Sequence, residues 1–338
     1  MIEFRVPEFK VPYFSAMYDI EQGKFFDHVE RYTHEKILQM INNHDTVIFN
    51  LTRDQYHGVL RNQTVKKIKY DLDRKGFNNI FYITNEIEHI KSSDDRIFFC
   101  PIWFYSKYLD YKSNNYEIKT HRNHTLSCLN RFPFPHKVYV YFKLMSENYD
   151  NKNLISFYGL KDPYNLQRQM DINDLWDIPV SIKNMIINSG FLKEKCCVPE
   201  DNLWNNDHSI LHPAFSDTYL NIITESTYCT TFFTEKTCKP LCAGQLFLSP
   251  NAKNNVTALR HLGFEVFDSE LDSHSYDSED NFITRIDKMF LLLSKIYTDI
   301  PDIYYKNFDK IKYNREYFLS DKFIDNLLKP LKQRELLA

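Results

Sequence analysis

The chain has 338 residues, of which 43% are apolar and 26% charged, and its net charge is −3. That is globular composition, and it lacks the basic excess of a protein that binds nucleic acid mainly through phosphates. Glycine occurs only seven times and never in a cluster, which excludes a P-loop and a dinucleotide fingerprint, since both need closely spaced glycines to bring backbone to phosphate.

Residues 1 to about 35 are aromatic-rich and follow no clear period. Ile37, Leu38 and Ile41 then recur at helical spacing. A strand is predicted over 46–51, a helix from about 59 to 74 closed by Gly76, and two further strands over 79–83 and 96–101. Apolar strands alternating with helices predict a parallel sheet covered on both faces. The polar stretch 110–123 is read as a domain linker. A second series follows: strand 124–129, helix 136–148, strand 154–158, less regular chain to 213, strand 219–223, helix 235–244, strand 246–249, helix 256–262 and strand 264–267. Ile283, Ile286, Met289, Phe290 and Leu293 then mark a helical C-terminal part.

The seven cysteines are odd in number, no secretory leader is read at the N-terminus, and no apolar run approaches the roughly 18 residues of a membrane span. A cytoplasmic, reducing location with free thiols and no membrane partner is expected. Cys196–Cys197 and Cys238–Cys242 lack the spaced partners of a zinc site, so buried thiols and no metal are predicted. Asn50, Asn62, Asn123 and Asn255 stand in glycosylation sequons, read as chance matches in a cytosolic chain.

Chemistry concentrates between Asn221 and Pro250. The strand ending at Ile223 delivers Glu225 to its carboxyl end. Ten residues later Thr234, an expected N-cap, precedes Glu235 and Lys236 in the first turn of a helix. A diphosphate there would meet free backbone N–H groups and the positive end of the helix dipole, with Lys236 adding a cation. A carboxylate accepts hydrogen bonds from a sugar or ribose diol, so the pair suits a nucleotide-sugar. The same spacing is compatible with plain helix capping.

The stretch TESTYCTTFFTEK resembles the donor motif of α-1,3-fucosyltransferases, roughly F-E-N-S-x-x-x-D-Y-I-T-E-K, whose two glutamates are also ten residues apart. The match falls on Glu225, Ser226, Thr234, Glu235 and Lys236, and it implies nucleotide-sugar binding there. Ser226 replaces the family's Asn, and Phe232–Phe233 replace its Tyr–hydrophobe pair. LSCLNRFPFPHKVYVYFKL is similar to the family's serine–asparagine strand, here ending at Asn130, followed by A-R-x-x-Y-Y-x-x-L. It puts Lys137 where the family carries a phosphate-binding Arg, with Arg131 as the nearby alternative. Lys lacks the bidentate fork of Arg. Tyr158–Gly159 match the family's Tyr–Gly after the next strand. DDRIFFCPIWFYSKY resembles D-R-Y-L-R-x-P-L-Y-Y, and ITNEIEH sets Glu86 about where these enzymes carry a catalytic glutamate. FEVFDSELDSHSYD is similar to viral and phage glycosyltransferases, which would make the location a host cytoplasm.

The resemblance implies an α/β protein of GT-B type, with two Rossmann-like domains facing across a cleft. Residues 1–119 would form the acceptor domain, 120–320 the nucleotide-sugar donor domain and 321–338 a helical tail. It implies inverting, metal-independent transfer from a GDP- or UDP-sugar co-substrate to the hydroxyl of a glycan or other acceptor, with no further cofactor. One base is needed for the acceptor proton. Glu86 is the first candidate, and Asp54 and His57, after the first strand, are the second. A metal-dependent enzyme using Asp71-Leu72-Asp73 is a competing reading, set aside because that triplet lies in a helical pattern. His121 and His124 are read as linker residues. Two alternatives remain open: a phage-type transferase acting on hydroxymethylated bases in DNA, with Lys66, Lys67, Lys69, Arg74 and Lys75 as a basic rim, and a non-catalytic sugar-binding module.

Overall fold

The computed structural model describes residues 7–14, 16–19, 24–27, 33–51, 65–84, 94–113, 116–130, 134–149, 153–157, 178–190 and 212–337. The chain divides into two compact units. Unit 1 comprises residues 1–113, 229–234 and 319–338, and unit 2 comprises 114–228 and 235–318.

Unit 1 holds a parallel sheet of β1 (Tyr13–Phe14), β4 (Val47–Asn50), β5 (Ile80–Thr84) and β6 (Ile97–Phe99), in the order β1-β4-β5-β6. A separate antiparallel pair, β2 (Ala16–Asp19) and β3 (Lys24–Asp27), lies between β1 and β4 in the chain. Helices α1 (His34–Asn43), α2 (Val65–Arg74) and α3 (Ile102–Tyr111) follow β3, β4 and β6. Alternation along the strands decides the packing. Val47, Phe49 and Leu51, together with Ile80, Tyr82 and Ile97, turn one face toward Ile37 and Ile41 of α1 and Val65, Ile68 and Leu72 of α2. All four residues of β4 are buried, as a strand covered on both faces requires. On α3, Phe104 stacks on Phe233 and packs against Phe323 of a C-terminal helix, α14 (Asp321–Gln333). Residues 229–234 and the C-terminus thus belong to this unit.

Unit 2 holds a second parallel sheet of β7 (His124–Asn130), β8 (Leu154–Phe157), β9 (Thr218–Ile222) and β10 (Leu246–Leu248), in the order β10-β9-β7-β8. Its helices are α4 (Pro135–Ser146), α5 (Val180–Ser189), α6 (Pro213–Ser216), α7 (Glu235–Ala243), α8 (Asn255–His261), α9 (Asp268–Leu271), α10 (His274–Asp277), α11 (Phe282–Ile296), α12 (Ile300–Lys306) and α13 (Phe308–Phe318). Asn281 caps α11 by accepting from the Ile283 and Thr284 amides, and Ile283, Ile286, Met289, Phe290 and Leu293 are all buried. The α/β architecture with parallel sheets expected from the sequence is therefore present. No helix among the described residues is long and apolar enough to cross a membrane.

One expectation is corrected, and a second element has a further role. Residues 264–267 form no strand. Phe267 turns into the left-handed region at φ 57, and the Asn314 side chain of α13 takes the place of a ladder partner: its Oδ1 accepts from Glu265 N at 2.8 Å and its Nδ2 donates to Glu265 O at 2.9 Å. The polar stretch 110–123 is more than a tether. Its Arg122 is buried, and the guanidinium donates to the carbonyls of Phe215, Thr218, Ala243 and Gly244 and to the Tyr304 hydroxyl. A planar group with five fixed donors can satisfy that many acceptors around one point.

Candidate functional site

The strand order of unit 2 reverses between β7 and β9: the chain passes from β7 outward to β8 on one side, and from β9 outward to β10 on the other. In open parallel sheets the crevice beyond the carboxyl ends at such a reversal is the usual ligand position. Three described candidates lie at this place, namely Asn130 at the end of β7, Glu225 just past β9, and the Glu235–Lys236 pair opening α7.

Asn130 and Thr224 tie the two strand ends together. The Thr224 hydroxyl donates to Asn130 Oδ1 at 2.6 Å, and Asn130 Nδ2 donates to Cys128 Sγ at 3.1 Å. Burial pushes the Cys128 thiol up to about 12, against a smaller opposing pull from Asn130 and the Lys137 ammonium, so it stays a neutral thiol. Lys137 occupies the first turn of α4 and is 1% exposed, with its ammonium over the Phe134 ring at 5.3 Å.

Glu225 is wholly buried. Its amide donates to Asn251 Oδ1 at 2.6 Å, and its carbonyl accepts from His136 Nε2 at 2.8 Å. A carbonyl can only accept, so His136 carries a proton on Nε2. The Glu225 carboxylate accepts from the Thr237 hydroxyl of α7 at 2.6 Å. In this structure the side chain thus faces α7 rather than an open crevice.

The first turn of α7 presents two groups to solvent. Glu235 and Lys236 keep 15% and 29% of their side-chain surface, whereas Thr237, Cys238 and Lys239 are buried. Lys236 Nζ donates to Glu235 Oε1 at 2.7 Å. Burial opposes ionisation of Glu235, but the Lys236 and Lys239 ammonium groups outweigh it and hold the carboxyl well below the usual carboxylate range. The turn therefore offers an ionised acceptor and a cation side by side. Thr234, the residue before α7, is buried and belongs to unit 1.

Glu86, Asp54, His57, Arg131 and the Tyr158–Gly159 pair lie outside the described residues. The other expectations have places. Asp71-Leu72-Asp73 is within α2, with Leu72 in the core and the aspartates paired to Lys75, Lys69 and Arg96, so its carboxylates serve ion pairs of this helix. Of the five cations read as a basic rim, Lys69 and Lys75 are thereby neutralised by aspartates. Cys238 and Cys242 are buried free thiols, and Cys196–Cys197 lie outside the described residues. No cluster of metal-ligating side chains occurs among the described residues. Asn50 and Asn255, two of the four sequon residues, are buried.

Sequence reading missed His136, Thr237, Lys239 and Asn251. Thr237 and Lys239 fall inside the quoted helix and His136 beside Lys137, so proximity to a motif was a usable signal for them. Asn251 directly follows the singled-out stretch but lies 26 residues from the amide it accepts from, a pairing the sequence does not show. No family model matches the chain, and no curated protein and no solved structure matches it significantly.

Proposed function

We propose that the protein is a glycosyltransferase of GT-B type, moving a sugar from a nucleoside-diphosphate sugar to an acceptor hydroxyl with inversion, and that unit 2 is its donor half. The observation that carries this reading is the Glu235–Lys236 pair, an ionised carboxylate and a cation partly open to solvent in the first turn of α7, beside the strand-order reversal. The resemblance of TESTYCTTFFTEK, which contains this pair, to the fucosyltransferase donor motif supports it as well.

In this mechanism Glu235 accepts hydrogen bonds from a diol of the donor, and Lys236 and the α7 N-terminus face its diphosphate. Lys137 or Arg131 supplies a second cation. As the acceptor oxygen attacks the anomeric carbon, the bond to the diphosphate breaks and its electron pair leaves on the phosphate oxygen. Cations and helix N–H groups stabilise that charge as it develops. The acceptor proton passes to a base, with Glu86 proposed first and Asp54 or His57 second. A glycan or another small hydroxyl compound is the proposed acceptor; the aspartate partners of Lys69 and Lys75 weaken α2 as a DNA-binding rim.

The test is a thermal-shift screen against GDP, UDP and other nucleoside diphosphates, followed by calorimetry. A ligand at about 100 times its dissociation constant stabilises by about 2.7 kcal/mol, so binding gives a clear upward shift. A chain indifferent to every nucleoside diphosphate and nucleotide-sugar, yet retained by a glycan column, would be a sugar-binding module instead.

A further inference from the structure

The buried Glu225 has a different place in unit 2 from that of its partner in the motif. Three segments around the strand ends converge on this one residue: the first turn of α4 through His136, the loop after β10 through Asn251, and the first turn of α7 through Thr237. Two of these bonds go to the backbone, which leaves the Glu225 carboxylate rigidly aimed at α7.

The first turn of α7 needs such a support. Pro240 stands inside the helix. It has no N–H to donate to the carbonyl one turn earlier, and its ring crowds that turn. The turn that displays Glu235 and Lys236 is therefore tied less firmly to the body of its own helix. The Thr237 hydroxyl, held at 2.6 Å by a wholly buried carboxylate, fixes its rotation from below. A carboxylate beside a helix N-terminus is also favourably placed in the helix dipole.

We infer that Glu225 is a positioning residue rather than a donor ligand: through Thr237 it sets the orientation of the first turn of α7, and so of Glu235 and Lys236. This inference rests on the donor-site reading for its functional consequence and on the geometry of unit 2 for its structural one. Two measurements separate them.

The first is calorimetric binding of GDP and UDP to the full chain and to T237V, T237S, E225A and the E225A/T237V double variant. T237V is expected to weaken binding about tenfold or more, and T237S, which keeps the hydroxyl, to stay within about threefold of the parent chain. E225A/T237V is expected to bind no worse than the weaker single variant, because interacting partners are not additive. The second is hydrogen exchange of the α7 amides in the nucleotide-free protein. Exchange is expected to speed up in T237V and to return to the parent rate in T237S. T237S behaving like T237V, T237V exchanging and binding like the parent chain, or additive losses in the double variant would each overturn the inference. A parent chain that binds neither nucleotide would overturn the donor-site reading instead, and the exchange experiment would still decide whether Glu225 positions the turn.

Discussion

Lys236 donates to the Glu235 carboxylate across 2.7 Å in the first turn of α7, although the two are adjacent in the chain. Adjacent helical residues do not ordinarily face one another. Here both keep part of their surface while the next three residues are buried, so the pair is the exposed edge of an otherwise enclosed turn.

Removing either member of the pair should cost ligand affinity. A hydrogen bond to a charged group contributes about 1.5–3 kcal/mol, so E235Q and K236A are each expected to bind the nucleoside diphosphate roughly tenfold or more weakly while still folding cooperatively. Calorimetry beside thermal denaturation checks this. Unchanged affinity in both variants would remove the pair from the binding site.

Acid should act on the pair in a definite direction. Folding holds the Glu235 carboxyl below its ordinary value of 4.5, so in the acidic range the unfolded chain binds the additional proton. Stability from this group is then fully present above about pH 4.5 and is lost as pH falls through the depressed folded value. The stability difference between the parent chain and E235Q is expected to stay level from about pH 8 to pH 5 and to shrink only on further acidification. Urea denaturation at stepped pH reads it, and a difference that vanished near pH 7 would contradict the assignment.

Arg122 should be a stability residue with no tolerance for its nearest analogue. R122A would leave the buried carbonyls of Phe215, Ala243 and Gly244 without the guanidinium, whereas Thr218 O keeps Gln245 Nε2. At about 1–3 kcal/mol for each orphaned group, a loss of about 4 kcal/mol or more is expected. R122K keeps the charge but lacks the planar fork, and it too should unfold at markedly lower urea. An unchanged midpoint for R122K would show that charge alone suffices.

Two glycines in the left-handed region should rank in a definite order. Gly190, after α5, has φ +74 and open space where a Cβ would stand, whereas Gly244, after α7, has φ +69 and would push a Cβ to 2.7 Å from Ile118. G190A should cost about 1–2 kcal/mol for the backbone conformation alone. G244A adds overpacking and should cost about 2–5 kcal/mol. Thermal denaturation of the two variants gives the ranking, and equal losses would mean that Ile118 yields freely.

Much of the α/β framework could be read in the chain because its signals are local. Strands β4, β5 and β10 are short, mostly apolar runs, and α2, α7 and α8 are followed closely by Gly76, Gly244 and Gly263, each at positive φ. The 264–267 segment misled for a physical reason: apolar periodicity reports burial, whereas a strand also needs a backbone partner, and here an Asn314 side chain fills that role.

That unit 2 alternates strand and helix, and that Glu235 and Lys236 open a helix after a strand, was legible along the chain, since caps, periods and turn residues act over a few positions. Folding in three dimensions was needed to show that β7 and β9 flank the reversal of strand order, that Arg122 is a buried hub of hydrogen bonds, and that Glu225 is enclosed by His136, Asn251 and Thr237. Those facts depend on which distant segments share a site. Burial of a charged side chain is set by the partners that replace its water, and those partners lie up to 182 residues away along the chain.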